Sequence, residues 1–221
     1  MSNSPDAPTA PGNGRLTLLL IAGIPVIMIL ASSWLWYFVA NGKLDIVGAL
    51  GTSNSGMLVQ PPRSVADAGW VNSAGERFEV HLETPLWVMV LPQAGGTCDA
   101  LCENRLYEAR QIHESLGKEL GRVARMVVTP AQQLTLDVST LSDDRPVPES
   151  FGAYVTREQR GMSVWHSDAA TFDALFPELA EEPRTWYLMD PNGWIMMRYD
   201  PSVHYKDVIS DLKFLIKNSN G

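Results

Sequence analysis

The stretch from residue 85 to residue 119 constrains the fold of this chain more than any other part of the sequence. It opens with Leu86–Leu91, a continuous apolar run of strand length, which a proline and two glycines then interrupt. Cys98 and Cys102 follow, and apolar residues then recur every three or four positions as far as Leu120, which predicts a helix. With a spacing of four residues, the two sulfurs are expected on one face of that helix, one turn apart.

The chain contains only these two cysteines, and their position predicts a redox or metal site. The N-terminus of a helix favours the thiolate form of a cysteine that lies there. The alternative is that both thiols fill the core, because cysteine is often fully buried. Burial alone does not account for a pair that flanks a strand-to-helix turn, so we favour the redox or metal interpretation.

An uncharged segment near the N-terminus predicts a membrane anchor. Residues 16–40 contain no charged side chain, and a helix of that length would run about 37 Å, which exceeds a hydrocarbon core of about 30 Å. Aromatic side chains crowd its C-terminal end, as is typical of a membrane interface. We expect a single transmembrane helix that contacts lipid through residues 16–40, preceded by a disordered cytoplasmic tail over residues 1–15.

The rest of the chain is predicted to form an extended linker over residues 41–66 and one domain over residues 67–221. A short tail before a first span usually stays inside, so the domain would face an oxidising space. That space is the periplasm, for a bacterial inner membrane, or the mitochondrial intermembrane space. The net charge of -8 and a pI near 5.0 argue against a nucleic-acid partner. The domain should begin with a hairpin over Gly69–Leu82 that leaves His81 on its polar face.

The predicted elements after this hairpin follow a thioredoxin-like α/β order. A strand, the cysteine helix and a buried strand at Arg122–Thr129 make a right-handed βαβ unit. A polar insertion over residues 130–160 contains a short helix near Ser150–Glu158. A strand at Met162–Trp165 and a helix come next, and a hairpin with its turn at Asp190–Gly193 precedes a last helix. The fold class is therefore α/β, thioredoxin-like, in the order βαβ, β, α, β-hairpin, α, behind one transmembrane helix. The cysteine turn lies at the C-terminal end of a parallel strand, where α/β folds place their sites.

This arrangement resembles the Sco (SenC) family of membrane-anchored, thioredoxin-fold proteins that help to assemble cytochrome c oxidase. Four segments carry the resemblance: Leu86–Leu91, Cys98–Cys102, Arg122–Thr129 and Tyr187–Gly193. The chain is more similar to a divergent Sco-like group of proteobacterial membrane proteins. That group combines a linker such as Asn54–Pro62 and a Cys-Asp-x-x-Cys pair with a following Arg-Leu-Tyr, here Arg105–Tyr107.

The resemblance implies copper chemistry as one interpretation. In the family, two cysteines and one histidine bind copper, but by spacing the histidine position holds Glu182 here. Two thiolates suit Cu(I), whereas a carboxylate is a poor ligand for it. A third ligand would then come from His166 or His204, each of which follows a strand that ends at the same edge of the sheet as the cysteines.

Thiol–disulfide exchange is the interpretation that we favour from the sequence. Cys98, exposed at the helix N-terminus, would attack a partner disulfide, and Cys102, in the buried stripe, would resolve the intermediate. Thioredoxin-like sites usually add a cis-proline facing the sulfurs, for which Pro183 is the candidate. Alignment on the hairpin glycine puts Arg184 nearest that position, where it could stabilise the thiolate or could simply be solvated.

The resemblance thus ranks three functions for a protein whose partner would be a cytochrome c oxidase subunit or another assembly factor. The first is membrane-anchored, extracytoplasmic thiol–disulfide exchange in assembly of the oxidase copper site, with no certain cofactor. The second is a Cu(I) metallochaperone, and the third is a scaffold without chemistry. The sequence leaves open whether the protein is an enzyme.

Overall fold

The computed structural model describes residues 14–40, 54–80, 85–137, 139 and 148–219. The chain divides into two units, residues 1–53 and residues 54–221. Most of the predicted tail and linker, together with His81 and Leu82 of the predicted hairpin, lie outside the described residues.

The described part of the first unit, residues 14–40, forms one helix, α1 (Gly14–Ala40). Its segment Leu18–Phe38 is 21 residues long with a mean hydropathy of 2.3, so α1 is long and apolar enough to cross a membrane. The hydroxyl of Ser32 donates to the carbonyl of Met28 within the helix, which satisfies a polar group that lipid could not. The predicted helix at this place is confirmed.

The second unit contains eight strands and four α-helices within the described residues. The strands are β1 (Met57–Ser64), β2 (Trp87–Pro92), β3 (Thr97–Cys98), β4 (Val123–Thr129), β5 (Thr135–Leu136), β6 (Met162–His166), β7 (Trp186–Met189) and β8 (Trp194–Tyr199). The helices are α2 (Ala100–Glu114), α3 (Phe151–Glu158), α4 (Ala169–Leu175) and α5 (Tyr205–Asn218), and two 3-10 helices cover Gly117–Arg122 and Pro177–Ala180.

Six strands form one sheet in the order β1-β8-β7-β2-β4-β6, and β3 and β5 form a separate parallel pair. Strands β2, β4 and β6 are parallel, whereas β7 and β8 form an antiparallel hairpin that pairs with β2 through β7. This is the predicted order βαβ, β, α, β-hairpin, α, so the thioredoxin-like fold class is confirmed.

Strand β2 separates two hydrophobic clusters because its side chains alternate between the faces of the sheet. Trp87, Met89 and Leu91 join the cluster that contains the buried residues of α2, α3 and α5. Val88 and Val90 join the cluster on the other face, which contains Phe172 and Leu175 of α4. All six residues of β2 are buried, as the continuous apolar run predicted.

The structure corrects two of the predicted boundaries. Residues 57–64, placed in the linker by composition, form β1, which pairs with β8 at the edge of the sheet. Its two prolines fit an edge strand, where no partner is needed on one side. The cysteine helix, predicted to reach Leu120, ends at Glu114. Gly117 takes a left-handed φ of 61° just beyond, which breaks the helical path.

A buried carboxylate holds the start of β1 in place. The Asp211 side chain on α5 accepts hydrogen bonds from the backbone N–H groups of Ser55 and Gly56, each at 2.9 Å, and from the hydroxyl of Tyr199 at 3.2 Å. Gly56 lies against Met197 and Tyr199 of β8, and a Cβ there would be 2.6 Å from each side chain. The close approach therefore depends on the absence of a side chain at position 56.

An ion pair fixes the 3-10 helix at Pro177–Ala180. The Arg63 guanidinium on β1 donates to both carboxylate oxygens of Glu178 and to the carbonyl of Leu175, and the Tyr187 hydroxyl donates to Glu178 at 2.9 Å. Burial opposes the charge of Glu178, but the hydrogen bonds from Arg63 and Tyr187 lower its pKa to about 2. The pair thus ties the segment that precedes β7 to the edge of the sheet.

Replacing Gly56 by alanine should destabilise the domain. The added methyl group would overlap two buried side chains, and overpacking of this kind costs about 1–3 kcal/mol. Urea unfolding of the full chain in detergent would measure the change. Gly121→Ala is the matched control, since a Cβ at that position meets nothing within 4 Å. If Gly56→Ala and Gly121→Ala lowered the free energy of unfolding by the same amount, the packing argument would be contradicted.

Glu178 should make stability depend on pH in the acidic range. Its folded pKa lies below the ordinary value of 4.5, so its contribution is complete above that pH and is lost as the pH falls toward 2. Between pH 6 and pH 3, the melting temperature of the full chain should therefore fall more than that of a Glu178→Gln variant. Glu182→Gln, which removes an exposed pair with Arg184, should track the parent protein. If the melting temperatures of Glu178→Gln and of the parent differ by the same amount at every pH, Glu178 is not the group whose titration destabilises the domain.

Candidate redox site

The cysteines lie where β3 ends and α2 begins. Cys98 is the last residue of β3, Asp99 is the N-cap of α2, and Cys102 lies in the first turn of the helix. The Asp99 carboxylate accepts a hydrogen bond from the Cys102 N–H at 3.0 Å, which satisfies one free donor of the helix start. Cys98 therefore precedes the helix, and the prediction that both sulfurs share a helix face is wrong.

Cys98 and Cys102 form a disulfide, with their Cα atoms 5.1 Å apart. That separation lies within the range of ordinary disulfides. The predicted pairing of the two cysteines is thus present in the structure.

Both cysteines are buried, which confirms the prediction for Cys102 and corrects it for Cys98. Cys98, expected to be exposed, has no accessible surface, whereas Cys102 is 3% exposed. The cause is the pairing of β3 with β5, in which Cys98 lies opposite Leu136 and its carbonyl accepts from the Asp137 N–H at 2.9 Å. Strand β5 lies inside the predicted polar insertion, and its Leu136 packs against the cluster that contains Cys98.

A pocket of about 200 Å³ opens beside Cys102. Its wall combines the loop after β2, the first turns of α2 and the segment before β7. The lining residues are Pro92, Gln93, Ala94, Gly95, Asp99, Leu101, Cys102, Arg105, Leu179 and Pro183. Cys98 does not line it, so the disulfide presents one sulfur-bearing residue to this pocket.

Arg105 is the residue of the site that the sequence analysis did not select. It lies three positions after Cys102 on α2 and is only 6% exposed. Its Nη1 donates to the Pro183 carbonyl at 2.9 Å and its Nη2 to the Gln93 side-chain oxygen at 2.8 Å. Burial lowers its pKa to about 10, against the opposing effect of the nearby Asp99 charge, so the guanidinium stays protonated at neutral pH. An arginine one turn after a cysteine, within the buried stripe of a helix, was the signal in the sequence.

Of the two predicted supporting residues, the structure brings only Pro183 to the site. Pro183 lines the pocket and accepts from Arg105 through its carbonyl. Its peptide bond is trans, because the described residues contain a cis bond only at Gln60–Pro61, so the predicted cis geometry is wrong. Arg184 is exposed and pairs with Glu182 at 3.1 Å, so the cationic group beside the cysteines is Arg105 instead.

The predicted copper ligands are not brought together. His166 ends β6, with its Nδ1 at 2.8 Å from the Ala131 carbonyl, and His204 caps α5 by accepting from the Lys206 N–H. Glu182, at the family's histidine position, bonds Arg184. Over the part of the chain that the structure describes, no three His, Cys, Asp or Glu residues are grouped to hold a metal ion. The oxidised pair and these histidines therefore do not fit a three-ligand copper site.

The fold matches solved structures of Sco proteins. Yeast Sco1 with copper bound aligns with a TM-score of 0.50 at 14% identity, covering 77% of this chain and 97% of that one. Copper-bound ScoI of Bradyrhizobium japonicum aligns with a TM-score of 0.44 at 13% identity, over 69% and 96% of the two chains. BsSco, a Sco-family cytochrome c oxidase assembly protein with a disulfide switch, aligns with a TM-score of 0.47 at 13% identity, over 77% and 99%. At 14% identity the likeness to yeast Sco1 concerns the fold alone, and it confirms the Sco-like fold expected from the sequence.

Sequence comparison gives the family. No curated protein matches the chain significantly. The family model described as a transmembrane-like, thioredoxin-like, C-terminal domain matches residues 87–219, which is more than half of the chain. The match runs from β2 through α5 and includes both cysteines and Arg105. The chain therefore belongs to the transmembrane-like, thioredoxin-like, C-terminal domain family.

Proposed function

We propose that this protein is a membrane-anchored thiol–disulfide exchange protein that acts outside the cytoplasm through Cys98 and Cys102. The observation that carries the proposal is a disulfide between neighbouring cysteines at a helix N-terminus, beside a pocket lined by a buried arginine. A helix N-terminus and a nearby cation are the two environments that favour a reactive thiolate.

The reaction transfers two electrons and two protons to a partner disulfide. The two thiols of the reduced domain become the Cys98–Cys102 disulfide as the sulfur–sulfur bond of the partner breaks and yields two partner thiols. A dithiol of another protein regenerates the reduced domain by the same exchange in reverse. Both steps need only sulfur chemistry and a pocket that admits a partner cysteine.

The proposed setting is the assembly of cytochrome c oxidase. BsSco, of the same fold, is a member of a family of oxidase assembly proteins, and α1 can anchor this chain in the membrane that holds an oxidase. A pair of copper-site cysteines in an oxidase subunit is a fitting partner, because such thiols must be reduced before they take up metal.

Cu(I) delivery is the second candidate, suggested by the copper bound to yeast Sco1. Against it, Glu182 pairs with Arg184, and among the described residues no three His, Cys, Asp or Glu side chains are grouped to hold a metal ion. Titrating the reduced full chain with Cu(I) against a chelator of known affinity separates the candidates. Weak binding that is unchanged by His166→Ala or His204→Ala supports exchange, whereas sub-picomolar binding lost in either variant supports delivery. A protein that neither exchanges nor binds copper would be the scaffold.

The exchange function predicts that the full chain in detergent reduces a disulfide peptide stoichiometrically. The probe is a synthetic peptide with one intramolecular disulfide, and peptide thiols are counted by alkylation and mass spectrometry. One peptide disulfide should be reduced per reduced chain while the chain gains its own disulfide. The Cys98→Ser, Cys102→Ser double variant is the control and should reduce none. A parent protein that behaves like this variant would overturn the proposal.

The proposed topology can be tested with one engineered cysteine. The native pair is oxidised and buried, so Lys118→Cys, at a side chain 92% exposed, serves as the reporter in a background of Cys98→Ser and Cys102→Ser. A membrane-impermeant maleimide should label it in intact spheroplasts as fully as in lysed cells. Labelling that requires lysis would place the domain in the cytoplasm and refute the topology.

A further inference from the structure

The two sulfurs of the disulfide differ in how a partner can reach them. Both cysteines belong to the buried cluster that contains Leu91 and Leu134, but Cys102 also lines the pocket whereas Cys98 does not. From this difference, and on the basis of the exchange function proposed above, we infer that the mixed disulfide with a partner forms at Cys102, with Arg105 as the positioning residue that favours its thiolate. Cys98 is then the resolving cysteine, which reverses the order expected from the sequence.

Access from the pocket favours Cys102 as the cysteine that reacts with a partner. Cys102 lines the pocket, so a partner sulfur that enters the pocket meets this residue first. Cys98 does not line the pocket and has no accessible surface, so close packing leaves a partner sulfur no path to it. The exposed side chain of Leu101, 48% accessible, offers an apolar contact in the pocket wall.

The local charge selects the same sulfur. Cys102 lies in the first turn of α2, where the helix dipole favours a negative charge. The buried Arg105 guanidinium, one turn further on, donates to two neutral oxygens, and its Nε has no hydrogen-bond partner. Among the described residues it forms no ion pair, and the acidic group near it, Asp99, caps the helix. An anion at Cys102 would therefore meet a positive charge that forms no ion pair with a described residue in the oxidised form.

The reaction then proceeds in two balanced steps. The Cys102 thiolate attacks the partner disulfide, a Cys102–partner bond forms, and the displaced partner sulfur leaves as a thiolate that takes a proton from water. The Cys98 sulfur, having lost its proton, next attacks Cys102 Sγ. The Cys98–Cys102 bond forms, and the second partner sulfur leaves and is protonated.

Trapping experiments decide which cysteine carries the partner. Reduced full chain in detergent is treated with oxidised glutathione, and the glutathionylated peptide is mapped by mass spectrometry. Cys98→Ser should hold glutathione at Cys102, and it should react at least about tenfold faster than Cys102→Ser. The reduced parent protein, given substoichiometric iodoacetamide, should be labelled first at Cys102, a measurement that needs no substitution. First labelling at Cys98, or faster reaction of Cys102→Ser, would overturn the assignment.

The role of Arg105 is tested in the Cys98→Ser background by the rate of the same reaction at neutral pH. Arg105→Gln should slow it by about tenfold, whereas Arg105→Lys, which keeps the charge, should restore most of the rate. Arg184→Gln is the matched control and should leave the rate unchanged. Melting temperatures show whether each variant is folded. If Arg105→Gln does not fold, Arg105→Lys decides, and its rate of glutathionylation must stay near that of the Cys98→Ser protein. If Arg105→Gln folds and Arg105→Lys reacts as slowly as it does, a charge effect is refuted.

Failure of this inference is distinguishable from failure of the exchange function. If the parent protein reduces the disulfide peptide but is labelled first at Cys98, exchange stands and the assignment of the cysteines falls. If the parent protein does not exchange at all, the function itself is wrong, whichever cysteine is labelled.

Discussion

The double burial of β2 is the constraint on which the rest of the structure depends. The strand is bonded along one edge to β4 and along the other to β7, and its side chains enter a separate core cluster on each face. Each large apolar side chain that is fully buried contributes about 1.5–3 kcal/mol, so few sequences could replace this run. Because β2 cannot move, the loop that follows it is held at one edge of the sheet, and β3, the disulfide and α2 start from there.

The site depends on a second arrangement, in which a buried cation joins three chain segments. Arg105 belongs to α2, Gln93 to the loop after β2, and Pro183 to the segment before β7. Arg63 and Glu178 hold that last segment from the other side. A charge placed in such a dry environment interacts more strongly with a nearby anion than a surface charge would. The redox pair is therefore surrounded by groups that the fold, and not the solvent, holds in place.

Local patterns predicted the elements well, and they failed where pairing between distant residues decided the outcome. The apolar run of β2, the turn at Asp190–Gly193 and the helix near residues 150–158 follow from spacing within a few residues, and all are present. Strands β1 and β5 are short or polar and contain no such pattern, because each is defined by a partner elsewhere in the chain. Missing β5 led directly to the wrong exposure for Cys98.

The site shows the same division between local and distant information. The cysteine spacing indicated a paired redox site, and the pair is a disulfide. The analogy with a cis-proline predicted that the group facing the sulfurs lies before the hairpin, yet the buried cation that lines the pocket with Cys102 comes from the cysteine helix itself. Helical spacing predicts that Arg105 lies one turn from Cys102. The burial of Arg105, which strengthens the effect of its charge, depends on contacts with Gln93 and Pro183 that the spacing does not reveal.

The disulfide joins residues only four positions apart, and this short span limits how much the bond contributes to stability. A cross-link lowers the entropy of the unfolded chain by an amount that grows with the logarithm of the number of residues in the closed loop. A loop of this size stabilises the folded state by only about 2 kcal/mol. Opening the bond therefore leaves most of the folding free energy of the domain intact. If the pair exchanges as proposed, the β2 core and the sheet would keep the domain folded when the bond opens, and the domain would not unfold between cycles.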